Sequence, residues 1–110
     1  MTIGIDLVQI AKFKKIKKTD YKKWSKVFWP HEWEYAFKKK GGEQLAGIFA
    51  AKEAAMKALG ETSSGNFLDW ELRWNKTGRP DLFFKHNKKK KISLSISHDA
   101  GAAVAAVLIV

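Results

Sequence analysis

Glu43-Gln44-Leu45-Ala46-Gly47-Ile48-Phe49-Ala50-Ala51-Lys52-Glu53-Ala54-Ala55-Met56-Lys57-Ala58-Leu59, set between Gly41-Gly42 and Gly60, is the stretch on which the fold turns. Alanine, leucine, methionine, glutamate and lysine are the strongest helix formers and glycine favours the position just past a helix end, so these residues predict one long helix closed at Gly60. Downstream the texture changes. Phe67 to Trp74 alternates as a strand, Asn75-Lys76-Thr77-Gly78 is turn chemistry, and Pro80 to Lys85 completes a hairpin. Ile92, Leu94 and Ile96 alternate with Ser93, Ser95 and Ser97, a period of two that predicts a half-buried strand. His98-Asp99-Ala100-Gly101 then turns into an apolar terminal strand.

Upstream, Thr2 to Leu7 predicts a short buried strand ending at Asp6. Val8, Ile10 or Ala11, Phe13 and Ile16 form an imperfect helical stripe, with Lys12, Lys15 and Lys18 on the opposite side. Tyr21, Trp24, Val27 and Phe28 repeat at helical spacing, and Pro30 suits the first turn of a helix whose Trp33 and Phe37 face inward. The order strand, helices, hairpin, hairpin makes a single α+β domain over residues 1–110, with helices packed on one face of a mainly antiparallel sheet.

Composition narrows the function classes. The chain has 110 residues, of which 45% are hydrophobic, enough to bury roughly two thirds of its unfolded surface in one core. It has no cysteine, which excludes a disulfide scaffold, a thiolate metal site and a cysteine nucleophile. The longest apolar run, Ala102 to Val110, falls well short of the about 20 residues of a bilayer span, and Met1 leads straight into the first strand; a cytoplasmic location is the expectation. With 21 Lys and Arg against 11 Asp and Glu, the formal charge is +10. Lysines cluster at 12–23, 38–40 and 85–91, a surface that draws in anionic partners without choosing among them.

Three positions stand out chemically. Asp6 ends an apolar strand, where a carboxylate needs a pairing group, a hydrogen bond or a metal. Glu53 lies on the alanine-rich helix with Lys57 one turn later, and His98 closes a strand. Each has an ordinary alternative: Asp6 as a helix N-cap, Glu53 with Lys57 as an exposed ion pair, His98 with Asp99 as turn residues.

Gly4-Ile5-Asp6-Leu7-Val8, Phe49 to Gly60, Gly78-Arg79-Pro80 and Leu94-Ser95-Ile96-Ser97-His98-Asp99 resemble, in order and spacing, the motifs of the 4′-phosphopantetheinyl transferases, most closely the short single-repeat holo-acyl-carrier-protein synthase branch. The resemblance covers nearly the whole chain, and Val27-Phe28 followed by Glu32 falls where the family has a helix start bearing a glutamate. It implies a Mg²⁺-dependent transfer of phosphopantetheine from coenzyme A to a serine of an apo carrier protein, releasing adenosine 3′,5′-bisphosphate. By the same resemblance Asp6 and Glu53 are the metal ligands, Lys57 and Lys52 meet the cofactor, and His98 sits at the cofactor as phosphate contact or proton acceptor. Glu53, Lys57 and His98 are then the catalytic group. Lys12, Lys15 and Lys22 would dock the acidic carrier protein, with Lys14, Lys18 and Lys23 assisting, and a homotrimer with sites between subunits is implied. Val8 stands where larger two-repeat relatives carry a further acid, and the loop Glu61 to Gly65 is trimmed. Two other readings compete: a basic nucleic-acid-binding module with Trp24, Trp29 or Trp33 stacking on bases, and an inactive relative that only binds coenzyme A or a carrier.

Overall fold

A computed structural model describes residues 1–60 and 65–110; most of the trimmed loop, residues 61–64, lies outside the described residues. Strand β1 spans Thr2–Gln9, followed by a single helical turn α1, Ala11–Lys14. A 3-10 turn over Lys18–Asp20 runs into another single turn, α2, Tyr21–Trp24. Helix α3 covers Pro30–Lys38 and helix α4 covers Gly42–Leu59. A 3-10 turn over Phe67–Asp69 leads to the hairpin β2, Trp70–Trp74, and β3, Pro80–Phe84. The chain closes with β4, Ile92–Asp99, and β5, Ala102–Ile109. All pairings are antiparallel, in a three-stranded sheet of order β1-β5-β4 and a separate two-stranded β2-β3 sheet.

Several boundaries differ from the sequence reading. β1 runs past Asp6 to Gln9, because Val8 and Gln9 find backbone partners at Ala103 and Ala102 that only the folded sheet supplies. It is also buried on one side only. The helix expected after Asp6 shrinks to the α1 turn, and the expected helix around Tyr21 to Phe28 is broken into short turns. Their aromatic rings still pack: Phe13 meets Trp24 and Phe49, and Phe28 meets Trp24 and Trp33. β4 continues through His98 and Asp99, and its turn is the two-residue Ala100-Gly101 link with φ of 51° and 76°. That positive-φ turn carries the twist a tight hairpin needs.

α4 lies across one face of the three-stranded sheet. Ala50, Ala51, Ala54, Ala55 and Ala58 of the helix are buried, as are Ala103, Ala105 and Val107 of β5. Small side chains on both partners let the two backbones come close. Gly4 is the extreme case: a methyl group built there would overlap the Ala54 carbonyl oxygen and lie 2.7 Å from the Ala58 nitrogen. The sheet's other face is uncovered, with Ile3, Ile5 and Leu7 71%, 61% and 68% exposed. Cross-strand pairing sets Ile3 beside Leu108, Ile5 beside Ala106 and Leu7 beside Val104, so the open face is apolar along β1 and β5 and lined by Ser93, Ser95 and Ser97 on β4.

Candidate functional site

Because strand side chains alternate, Gly4 and Asp6 share the face of β1 that meets α4. The close approach at Gly4 therefore carries Asp6 against the last turns of the helix. The Lys57 ammonium donates to Asp6 Oδ1 at 2.9 Å and to the Ile5 carbonyl at 3.0 Å. Asp6 is thus neither an N-cap nor an isolated strand carboxylate, and Lys57 is engaged by a distant strand. Glu53, one turn before Lys57, joins them electrostatically. Burial pushes its carboxyl above the usual carboxylate range, the charge of Asp6 pushes it further, and Lys57 pulls back. A carboxyl raised in this way by another's charge lies close to it.

His98 is elsewhere. It lies on β4, the opposite edge of the sheet, paired with Ala103, which pairs on its other side with Val8. Strand spacing and rise put it on the order of 12 Å from Asp6. Its Nδ1 is 3.6 Å from Glu43 Oε1, its Nε2 is buried with no hydrogen-bond partner among the described residues, and a methyl group at Gly47 would stand 3.1 Å from that nitrogen. Within one chain, then, Asp6, Glu53 and Lys57 gather and His98 does not.

Lys52, expected with the cofactor, is also not brought to this group. It is fully buried, with its ammonium 2.6 Å from Glu32 Oε1 and 2.8 Å from the Val27 carbonyl. Burial lowers the Lys52 pKa and raises that of Glu32, and in each the partner's charge opposes the shift. Glu32 also accepts from the Trp29 N–H at 2.7 Å and the Leu72 N–H at 2.8 Å. An ammonium committed in this way has no path to a surface ligand. Glu32 stands at the third position of the helix that Pro30 opens, which is the local signal for an acid that accepts backbone N–H groups; its lysine partner leaves no local trace.

Lys12, Lys15 and Lys22 are all exposed, on or beside the α1 and α2 turns. Lys12 lines a pocket of about 330 Å³ with Leu7, Val8, Phe13, Trp24 and Phe49, which begins one residue beyond Asp6 on β1. None of the tryptophans weighed as base-stacking platforms stands fully exposed. Trp24 packs in the ring cluster, Trp33 is buried with its indole N–H given to the Lys18 carbonyl, and the Trp29 indole N–H goes to the Trp70 carbonyl.

Among the described residues no three His, Cys, Asp or Glu side chains gather to cage a metal. The donor set at Asp6 and Glu53 is two hard carboxylates, with the charge of Asp6 raising Glu53 even beside the Lys57 ammonium. That suits an ion such as Mg²⁺, which takes one or two carboxylates and leaves its other positions to water and substrate phosphate.

Residues 2–108 match the family model described as the 4′-phosphopantetheinyl transferase superfamily. The chain is 43% identical to a holo-[acyl-carrier-protein] synthase of Campylobacter fetus, over 97% of each chain. Among solved structures it resembles the Helicobacter pylori holo-[acyl-carrier-protein] synthase in complex with coenzyme A, with a TM-score of 0.83 and 34% identity over 98% of this chain and 99% of the other. The corresponding Bacillus anthracis enzyme matches at a TM-score of 0.79 and 36% identity, over 98% and 94%.

Proposed function

The chain belongs to the 4′-phosphopantetheinyl transferase superfamily, and from that premise we propose that it moves 4′-phosphopantetheine from coenzyme A to a serine hydroxyl of an apo acyl or peptidyl carrier protein. In this reading adenosine 3′,5′-bisphosphate leaves. The observation that supports it most is the convergence of Asp6, Glu53 and Lys57 from segments some fifty residues apart, with Lys57 and Asp6 in contact at 2.9 Å. The serine oxygen bonds to the phosphorus that carries the pantetheine arm while the bond from that phosphorus to the bridging oxygen breaks, so negative charge grows on the departing bisphosphate. Asp6 and Glu53 would hold Mg²⁺, which when bound neutralises charge on the pyrophosphate. Lys57 has three N–H donors, two of them used here, and in the complex would turn one to a phosphate oxygen. Glu53, a carboxylate at this centre, would take the serine proton.

In this reading His98, with a quarter of its side chain exposed at the β4 edge, would serve the centre of a neighbouring copy. Its place on the opposite sheet edge, together with the uncovered row Ile3, Ile5 and Leu7, supports a closed homotrimer in which one subunit's β4 edge meets another's β1 edge. Light scattering should give the mass of three chains, and a fully active monomer would remove this arrangement. Exposed Lys12, Lys15 and Lys22, with Lys12 lining the pocket beside β1, fit the acidic surface of a carrier-protein helix.

With coenzyme A, Mg²⁺ and an apo carrier, mass spectrometry should show phosphopantetheine on one serine. In the same assay Lys12→Glu with Lys15→Glu should raise KM for the carrier about 10-fold or more, with KM for coenzyme A little changed. Several candidate carriers all left unmodified would sink the transferase reading, and an equal rise in both constants would move the docking face elsewhere.

A further inference from the structure

α4 meets the sheet through alanines, and this smooth surface permits close approach but has few features that stop the helix from rolling or sliding. One directional contact breaks that smoothness. Lys52 extends from α4 to the Val27 carbonyl and to Glu32, and Glu32 is in turn tied to the Trp29 and Leu72 N–H groups, so a single buried knot joins α4, the start of α3, the segment before it and β2. Lys52 and Glu53 are consecutive, so their side chains leave the helix about 100° apart. Fixing the direction of one fixes the direction of the other. Stability alone does not account for the knot, since apolar replacements of a buried ion pair are commonly as stable or more so.

Resting on the reading of Glu53 as a metal ligand, we propose that the buried Glu32–Lys52 pair is a positioning element that sets the rotation of α4 and thereby holds Glu53 beside Asp6. It touches neither cofactor nor carrier; its effect passes through the helix. Glu53 on α4 faces Asp6 on β1 with Lys57 beside both, and the Lys52 tether, leaving the helix about 100° from Glu53, fixes the turn of the helix that keeps the three together.

The test is the double variant E32Q/K52M, which removes both charges and nearly keeps both side-chain lengths. Mn²⁺ binding, read by electron paramagnetic resonance on the protein without substrate, should weaken 10-fold or more, the range seen when supports behind metal ligands are removed. At a temperature well below its Tm, kcat should fall by a similar factor while KM for the carrier stays near wild type. A merely structural pair would lower Tm and leave Mn²⁺ affinity and kcat unchanged, and that result overturns the proposal. If the double variant does not fold, Glu32→Gln alone, which removes the carboxylate charge and leaves an amide oxygen to accept from Lys52, reads the same quantities against wild type, with the same outcomes deciding. Wild-type protein that turns over without binding Mn²⁺ would overturn the metal reading and this proposal together, whereas wild-type binding matched by the variant overturns the positioning role only.

Discussion

Glu53→Gln should yield a protein that is more stable than wild type without metal and nearly inactive with it. The Glu53 carboxyl is pushed up by burial and by Asp6, so between the ordinary carboxylate value and the raised one the folded chain keeps a proton that the unfolded chain has lost. Stability therefore falls as pH rises through that window and remains lower at neutral pH. Glutamine has the same shape and no charge, and it leaves the Lys57 contact with Asp6 in place. The melting temperature of Glu53→Gln should exceed wild type at neutral pH, with the gap closing toward about pH 4, where the wild-type carboxyl is protonated as well. Adding Mg²⁺ should raise the wild-type melting temperature and leave the variant's unchanged, since only a bound ligand stabilises. Turnover should drop by about 100-fold or more, the scale of losing one charge-organising group at a phosphoryl centre. A variant that melts lower than wild type at neutral pH, or that keeps wild-type turnover, would contradict the electrostatic account of this site.

The second large effect falls at a residue with no chemistry of its own. Gly4→Ala places a methyl group into the Ala54 carbonyl and against the Ala58 nitrogen, which are helix backbone and cannot rotate aside. β1 and α4 must part. Overpacking of this kind costs about 1–3 kcal/mol and occasionally more, which for a domain this size lowers the melting temperature by roughly 10 °C or more. Turnover should fall beyond what the lost stability explains, because Asp6 rides on the displaced strand while Glu53 and Lys57 stay with the helix. Calorimetry, with rates taken well below the transition, separates the two losses. A variant melting within about 2 °C of wild type would show that the strand and helix are not held by this contact.

Much of the architecture is legible in the sequence where a pattern is local and long. The alanine-rich helix was expected from Glu43 to Leu59 and is observed over Gly42–Leu59, with Gly60 at a φ of 74° where such a residue is needed. The serine-isoleucine alternation and the apolar terminal stretch are β4 and β5. The region from Ile10 to Phe28 reads as helix from its spacing, yet its turns are only four residues long, because its rings take their places from Phe49 and Trp33 and not from a helix of their own.

The candidate site divides along the same line. Asp6, Glu53 and Lys57 are recognisable as a motif set, but the partner that Lys57 takes is Asp6, fifty-one residues away, and no helical spacing states that. Lys52 carries the same charge as Lys57 and lies five residues earlier, yet faces the opposite environment, since position around the helix decides whether an ammonium meets Glu32 in the core or a strand carboxylate at the surface. By itself, then, the sequence determined the long helix and the strands, the family and the residue types available for chemistry. Only the tertiary structure decided which of those residues meet, which are spent inside the core and which are left on the far edge of the sheet, because contacts between distant segments depend on how closely a glycine and a row of alanines let two backbones approach, a property of the packed pair and of neither segment alone.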